Sequence, residues 1–358
     1  MWGDISIAFL LAFVTAFVIT PYTIRLARRV GAIDKPEKRR INEEPMPRLG
    51  GLAVIIGFLV SCSYLLIVMT LEKSFNPFGE EQYFHKLMGL LIGIIVLGIF
   101  SFIDDAKGLP AIVKLIGQTI AAIIVVSFGI QIDNINIPFL EQTLNINNNI
   151  YIYILSVGWI VGITNAINLI DGLDGLSSGI TLISCFSLII VFTMNQSPII
   201  SIILITALAG AIVGFMPYNV NPAKTFIGDT GAQFLGFALA VITILGTAKT
   251  YTLLVLISPL IILALPIADT LFAIVRRIIK GKSIKAIFSP DTGHLHHKLM
   301  KKGYTQKQSV LILYGISASM GMFAIILLES GIWKALSFAL MMVAVIAVGY
   351  KDFFKVQR

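Results

Sequence analysis

The chain has 358 residues, of which 57% are hydrophobic and only 13% charged, and its mean hydropathy is +0.90. Soluble proteins carry roughly a quarter charged residues, so this composition excludes one, and repeated apolar runs of about 20 residues predict a single membrane domain over 1–358 instead. The formal net charge of +8 gives no reason to invoke nucleic acid, because the basic residues sit in loops between apolar runs, where they set orientation.

Read in chain order, the apolar runs predict an all-α polytopic membrane protein of about eleven transmembrane helices, near 4–24, 49–71, 86–103, 111–130, 151–167, 178–195, 199–216, 231–248, 252–276, 308–328 and 331–350. The first run has no basic segment before it, no small-residue cleavage site, and Arg25, Arg28 and Arg29 after it. That pattern predicts an uncleaved helix beginning outside. Eleven crossings place 23 of the 27 Lys and Arg residues on one side and four (Lys73, Lys86, Lys249, Lys334) on the other. The positive-inside bias then puts the N-terminus outside and the C-terminal tail in the cytoplasm. Residues 131–150 alternate in part (Ile130, Ile132, Ile135, Ile137) and predict a short outer hairpin. The loop 72–85 offers only an isolated His85, and Cys62 and Cys185 lie inside apolar runs, so neither a disulfide framework nor a cysteine zinc cluster is available.

The unusual polar residues gather on the predicted inner side, where carboxylates are costly unless they meet cations, phosphates or metal. Asp104 and Asp105 follow the third run directly, and adjacent acids raise each other's pKa unless a cation lies beside them. In 165–176, Asn168, Asp171 and Asp174 recur every three residues and would share a face if helical. No Lys or Arg lies in that stretch, so metal, nucleotide or a distant basic loop must satisfy its acids. In 219–231, Asn219 and Lys224 precede Asp229, which is flanked by Gly228 and Gly231 at a helix start. Such a carboxylate suits Mg²⁺, a hard ion that takes a few carboxylate oxygens together with substrate phosphate and water. Asp291, His294, His296 and His297 occupy the longest inner loop, where phosphate contact fits better than zinc. Arg48 ends the basic loop 25–48, and Asp269, buried in the ninth run, is expected to pair with a basic group or to help the metal site.

Together these segments resemble the polyprenyl-phosphate N-acetylhexosamine-1-phosphate transferases (glycosyltransferase family 4). PRLGG at 47–51, the Asp104-Asp105 pair, NAINLIDGLDGL at 165–176, FIGDTG at 226–231 and SPDTGHLHH at 289–297 carry the match. The HLHH form, PRLGG and the eleventh span are similar to the WecA/TagO group. The resemblance implies a multi-pass enzyme of the bacterial plasma membrane, with UDP-GlcNAc and undecaprenyl phosphate as partners in the lipid bilayer and a homodimer as an alternative to a monomer. It implies Mg²⁺ as cofactor, with Mn²⁺ as a substitute, and release of UMP at the first step of teichoic acid or other surface-glycan synthesis. It also implies Asp104, Asp105 and Asp229 as catalytic residues, and Asp229 with Asp171 as metal ligands. Arg48, Lys114, Asn168, Asp171, Asp174, Asn219, His294, His296 and His297 would bind substrate. One departure is Asn42, where the family pattern leads one to expect a histidine.

Three rival readings fit less well. A phospho-MurNAc-pentapeptide translocase of peptidoglycan synthesis differs in its span number and histidine run. A transporter would place such groups near the bilayer midplane, within inverted repeats that the sequence lacks. A prenyltransferase would need DDxxD, but position 108 is Gly.

Overall fold

The computed structural model describes residues 2–35, 44–72, 82–132, 134–137, 142–145, 149–247, 253–283, 287, 291 and 293–355. Asn42, Lys73 and Lys249 lie outside them. The elements run α1 (Trp2–Val30), β1 (Ile33–Asp34), β2 (Met46–Pro47), α2 (Gly50–Glu72), α3 (Gln82–Lys107), α4 (Ala111–Ser127), β3 (Asn134–Ile137) and β4 (Gln142–Asn145). They continue as α5 (Asn149–Ile170), α6 (Leu176–Met194), α7 (Ile199–Asn219), α8 (Gly228–Thr247), α9 (Leu253–Ile262), α10 (Ala264–Gly281), α11 (Leu295–Lys301), α12 (Gln306–Ser330) and α13 (Ile332–Lys355). The chain is an all-α polytopic membrane protein, with two-residue and four-residue antiparallel hairpins as its only described sheet. Among the described residues, seven helices are long and apolar enough to cross a bilayer, and the shorter apolar helices Gly50–Tyr64, Ala111–Ser127 and Ile332–Ala344 join them.

The ninth predicted run is not one helix. Pro266 has no N–H for the carbonyl of Ile262 and its ring clashes with that turn, so α9 ends at Ile262 and α10 restarts at Ala264. The hairpin predicted within 131–150 is present as β3 paired with β4.

Small residues set the helix spacing, as membrane interfaces require when lipid is as apolar as the side chains. Ala8, Ala12 and Ala16 on α1 are fully buried. A methyl on Gly210 or Gly214 of α7 would stand 2.3 or 2.2 Å from the carbonyls of Phe9 and Phe13. On α8, a methyl on Gly236 would meet the carbonyl of Ile163 at 2.7 Å, so α5 and α8 approach backbone to backbone there. α8 is the most enclosed candidate span, with 94% of its apolar window buried. Its N-terminus lies at the end of the helices where Arg48 and Lys114 reach it.

Candidate active site

Two chain segments cross at that end and fix the first part of the site. The Phe226 N–H donates to the Pro47 carbonyl (2.8 Å), and the Gly50 and Gly51 N–H groups donate to Phe226 and Ile227 (3.1 and 2.8 Å). A Cβ on Gly228 would lie 1.8 Å from the Arg48 carbonyl oxygen, and one on Gly51 would lie 2.1 Å from the Cα of Gly231. The glycines of PRLGG and FIGDTG therefore let two backbones touch. The contact brings the Arg48 side chain, from just beyond β2, to the start of α8.

Asp229, in the first turn of α8, is the hub. Its Oδ1 accepts from Asn168 Nδ2 at 2.7 Å, and its Oδ2 faces Arg48 Nη2 at 3.1 Å and Lys114 Nζ at 3.3 Å. The acid pair flanks this hub, with the two members doing different work. Asp104 Oδ2 meets Lys114 Nζ at 2.5 Å, while its Oδ1 accepts the Leu109 N–H at 2.7 Å. Asp105 accepts the backbone N–H groups of Asp229 and Thr230 (2.9 and 2.8 Å) and the Thr230 hydroxyl (2.6 Å). It thus caps α8 from a neighbouring helix, where the positive end of the helix dipole favours a carboxylate. Arg48 also lies 3.4 Å from Asp105 and 3.8 Å from Asp34. The cations expected beside the acid pair are therefore Lys114 and Arg48, drawn from other segments.

The reading of Asn168, Asp171 and Asp174 as one helical face needs correction. α5 stops at Ile170 and α6 starts at Leu176, so only Asn168 is helical. Gly175, at φ +73°, provides a left-handed turn that side chains resist, and Tyr314 of α12 donates its hydroxyl to the Gly175 carbonyl at 2.5 Å. Asp171 accepts from Ser177 Oγ at 2.6 Å. Its carboxyl is pushed up to about 7, by burial first, and the nearby Asp229 and Asp105 add to the rise. Asp174 accepts from Asn221 Nδ2 (2.9 Å) and the Ala223 N–H (3.2 Å), and Asn221 also donates to Gln306 Oε1 at 3.1 Å. Asn219 is buried and braces its own loop, accepting from Ser178 and donating to the Thr225 carbonyl.

The histidines lie on and before α11, a short helix where the sequence predicts only loop. His294 Nδ1 is 2.8 Å from Asp269 Oδ2, and Asp269 Oδ1 accepts the Leu295 N–H at 3.0 Å. Asp269 accordingly pairs with a basic group and anchors α11. Arg276 holds Asp291 at the other edge of the loop. His296 packs over Gly172, where a methyl would meet its Nε2 at 2.3 Å. Burial and its histidine neighbours bring His296 down to about 3, so it is neutral at physiological pH.

These groups surround a cavity of about 660 Å³. Eight of the twelve sequence-predicted residues line it, whereas Asp104, Asp105, Lys114 and His294 stand behind the wall. Asp34, Asn221, Phe226 and Gln306 also line it and had no assigned role. A helix-start pattern at Thr305 to Gln308, present as a capping box, was the available signal for Gln306. Among the described residues no three His, Cys, Asp or Glu side chains group as a metal cage. Asp229 and Asp171 instead offer two carboxylates on one cavity, the donor number that suits Mg²⁺ when substrate phosphate supplies the rest.

The fold and this pocket define a multi-pass membrane enzyme with an acid-rich, cation-buttressed cavity at one end of its helices. The match to the glycosyl transferase family 4 model covers residues 87–247. The chain is 39% identical over 332 residues to a Bacillus subtilis (strain 168) protein named probable undecaprenyl-phosphate N-acetylglucosaminyl 1-phosphate transferase, covering 93% of this chain and 87% of that one. It is 32% identical over 342 residues to the decaprenyl-phosphate N-acetylglucosaminephosphotransferase of Mycobacterium leprae (87% and 80% covered). It is 30% identical over 309 residues to the phospho-N-acetylmuramoyl-pentapeptide-transferase of Bacillus velezensis (83% and 88% covered). The chain belongs to glycosyl transferase family 4.

Proposed function

We propose that this enzyme transfers GlcNAc-1-phosphate from UDP-GlcNAc to undecaprenyl phosphate, releasing UMP and beginning teichoic acid or another surface glycan. The observation that carries the reading is the convergence of Arg48, Lys114 and Asn168 on Asp229 at one wall of the cavity. Greater likeness to the GlcNAc-1-phosphate transferases than to the muramoyl-pentapeptide transferase supports the choice of sugar. The 23-to-4 division of Lys and Arg supports eleven crossings with the N-terminus outside and the cavity in the cytoplasm.

An oxygen of the lipid phosphate forms a bond to the sugar-linked phosphorus of the donor. The bond from that phosphorus to the bridging oxygen breaks, and UMP leaves with that oxygen. Asp229 and Asp171 would hold Mg²⁺ (or Mn²⁺), which supplies neutralisation of the pyrophosphate charge. Arg48 at the wall adds a fixed guanidinium for a phosphate, and His297 and neutral His296 add hydrogen-bonding nitrogens. Lys114 restrains the charge of Asp229 from behind. A phosphate monoester is already largely dianionic near neutral pH, its second pKa being about 6, so little is gained from a general base. Asp104 is bound to Lys114 and Asp105 is occupied at the α8 terminus, which supports direct attack by the lipid phosphate over a covalent aspartyl intermediate.

The test is UMP release by purified protein with Mg²⁺, undecaprenyl phosphate and labelled UDP-GlcNAc. Asp229→Asn should abolish Mg²⁺-dependent turnover; near-normal activity would reject the metal assignment. Activity with UDP-MurNAc-pentapeptide alone would transfer the chain to the peptidoglycan branch.

A further inference from the structure

One helical turn deeper than the site, the same four helices carry a second polar layer. Ser101 precedes Asp104 and Asp105 on α3, Gln118 follows Lys114 on α4, Asn165 precedes Asn168 on α5, and Gln233 follows Asp229 on α8. Each lies three or four residues from its site partner, hence on the same helix face. Gln118 Nε2 donates to Gln233 Oε1 at 3.1 Å and Asn165 Nδ2 donates to Gln118 Oε1 at 2.5 Å, while Ser101 Oγ, which donates to the Leu97 carbonyl at 2.7 Å, lies 3.3 Å from Gln233 Oε1. Ser101, Gln118 and Gln233 are each at most 2% exposed.

Stability alone does not account for this layer. Among the described residues, Gln233 Nε2 is buried with no hydrogen-bond partner. An amide left unsatisfied in an apolar interior is a net cost, and apolar replacements of the same shape can be neutral or stabilising. What the chain of amides does supply is relative rotation. Helices α4, α5 and α8 can turn about their axes only by breaking it, and one turn away those helices present Lys114, Asn168 and Asp229 to one another.

We propose that Gln118, Gln233 and Asn165, flanked by Ser101, form a positioning layer that sets the rotation of α4, α5 and α8 and so holds Asp229 for the transfer step. The inference rests on the proposed function only for its turnover readout. None of these residues touches substrate; they act through Asp229, Lys114 and Asn168. Methionine matches glutamine in length without its hydrogen bonds, so Gln118→Met with Gln233→Met removes the layer while keeping its volume. In the full-length protein, kcat should fall by about tenfold or more, as small misplacements of reacting groups do. KM for UDP-GlcNAc should stay within about twofold, the mark of an interaction used in the transition state. The melting temperature should be unchanged or higher, and a merely structural role would lower it. A second readout, independent of turnover, is the melting shift produced by MgCl₂ alone, which should be smaller in the double variant, KM being read at saturating Mg²⁺. If the wild type releases no UMP, the proposed function fails, and the melting shift alone decides the positioning layer. Should the double variant not fold, Asn165→Leu, which removes the donor to Gln118, should lower kcat by about two- to threefold, in keeping with a single hydrogen bond. A kcat within twofold of wild type for the folded double variant, an equal melting shift, or a loss of activity that only follows loss of folded protein would overturn the proposal.

Discussion

Replacing Asp171 by asparagine should separate what the site costs from what it does. The Asp171 carboxyl lies on the cavity wall with its oxygen bound to Ser177, and burial raises it to about 7, against about 3.9 in an unfolded chain. A folded pKa raised above the unfolded one contributes stability present below about pH 4 and lost as pH rises through 7. Three units at about 1.4 kcal/mol each would give about 4 kcal/mol at pH 8. The cavity admits water to this carboxylate, so about 2–4 kcal/mol is the appropriate range. The substituted amide would keep an oxygen for the Ser177 hydroxyl and carry no charge. In detergent with EDTA at pH 8, Asp171→Asn should melt roughly 3–5 °C above wild type for a chain of this size. The gap should narrow at pH 5, where the folded wild-type carboxyl is protonated. Mg²⁺ with UMP should then stabilise the wild type more than the variant, and the variant should be inactive. A variant no more heat-resistant than wild type at pH 8, or a gap independent of pH, would refute the claim that this carboxylate lies uncompensated until a cation arrives.

Gly228→Ala should cost more than about 3 kcal/mol, because the methyl would strike the Arg48 carbonyl at 1.8 Å and φ is +70°; size-exclusion chromatography should show little folded protein, and a normal yield would contradict the backbone crossing. Tyr314→Phe removes the hydroxyl that holds Gly175 and should lower stability by about 1 kcal/mol while raising KM for the nucleotide-sugar. An unchanged melt and unchanged KM would show that the 171–175 turn stands without it. His296, held down near 3, should make the protein lose stability as pH falls from about 6.5 toward 3, because the unfolded chain takes a proton that the folded one refuses. His296→Gln should flatten that limb of a melting-against-pH curve, and an unaltered slope would exclude His296 as its source.

The helices were legible because each crossing is a local property: an apolar run between polar breaks reports itself within about 20 residues, and the basic loops follow the same logic. The ninth run misled because hydropathy is blind to Pro266, whose missing N–H matters more there than its apolar ring. Asp171 and Asp174 looked helical because a three-residue spacing fits a helix, while the left-handed Gly175 that ends that possibility was visible only as a glycine. The motifs made the site residues legible one segment at a time, yet the contact between Arg48 and Asp229 spans 181 residues, and no local pattern encodes it. The same kind of distance hides the contacts of Asp105 with Asp229 and Thr230. The role of Asp105 as a cap on α8 requires knowing that α8 begins beside the end of α3. Gln118 and Gln233 were missed for the opposite reason: each is a single amide in an apolar run, and their meaning comes only from meeting each other. An isolated polar side chain in a span is costly, and that cost is itself the sequence signal. Had the four polar positions been read by helical register against Asp104, Lys114, Asn168 and Asp229, they would have pointed to a layer behind the site before the fold placed them together.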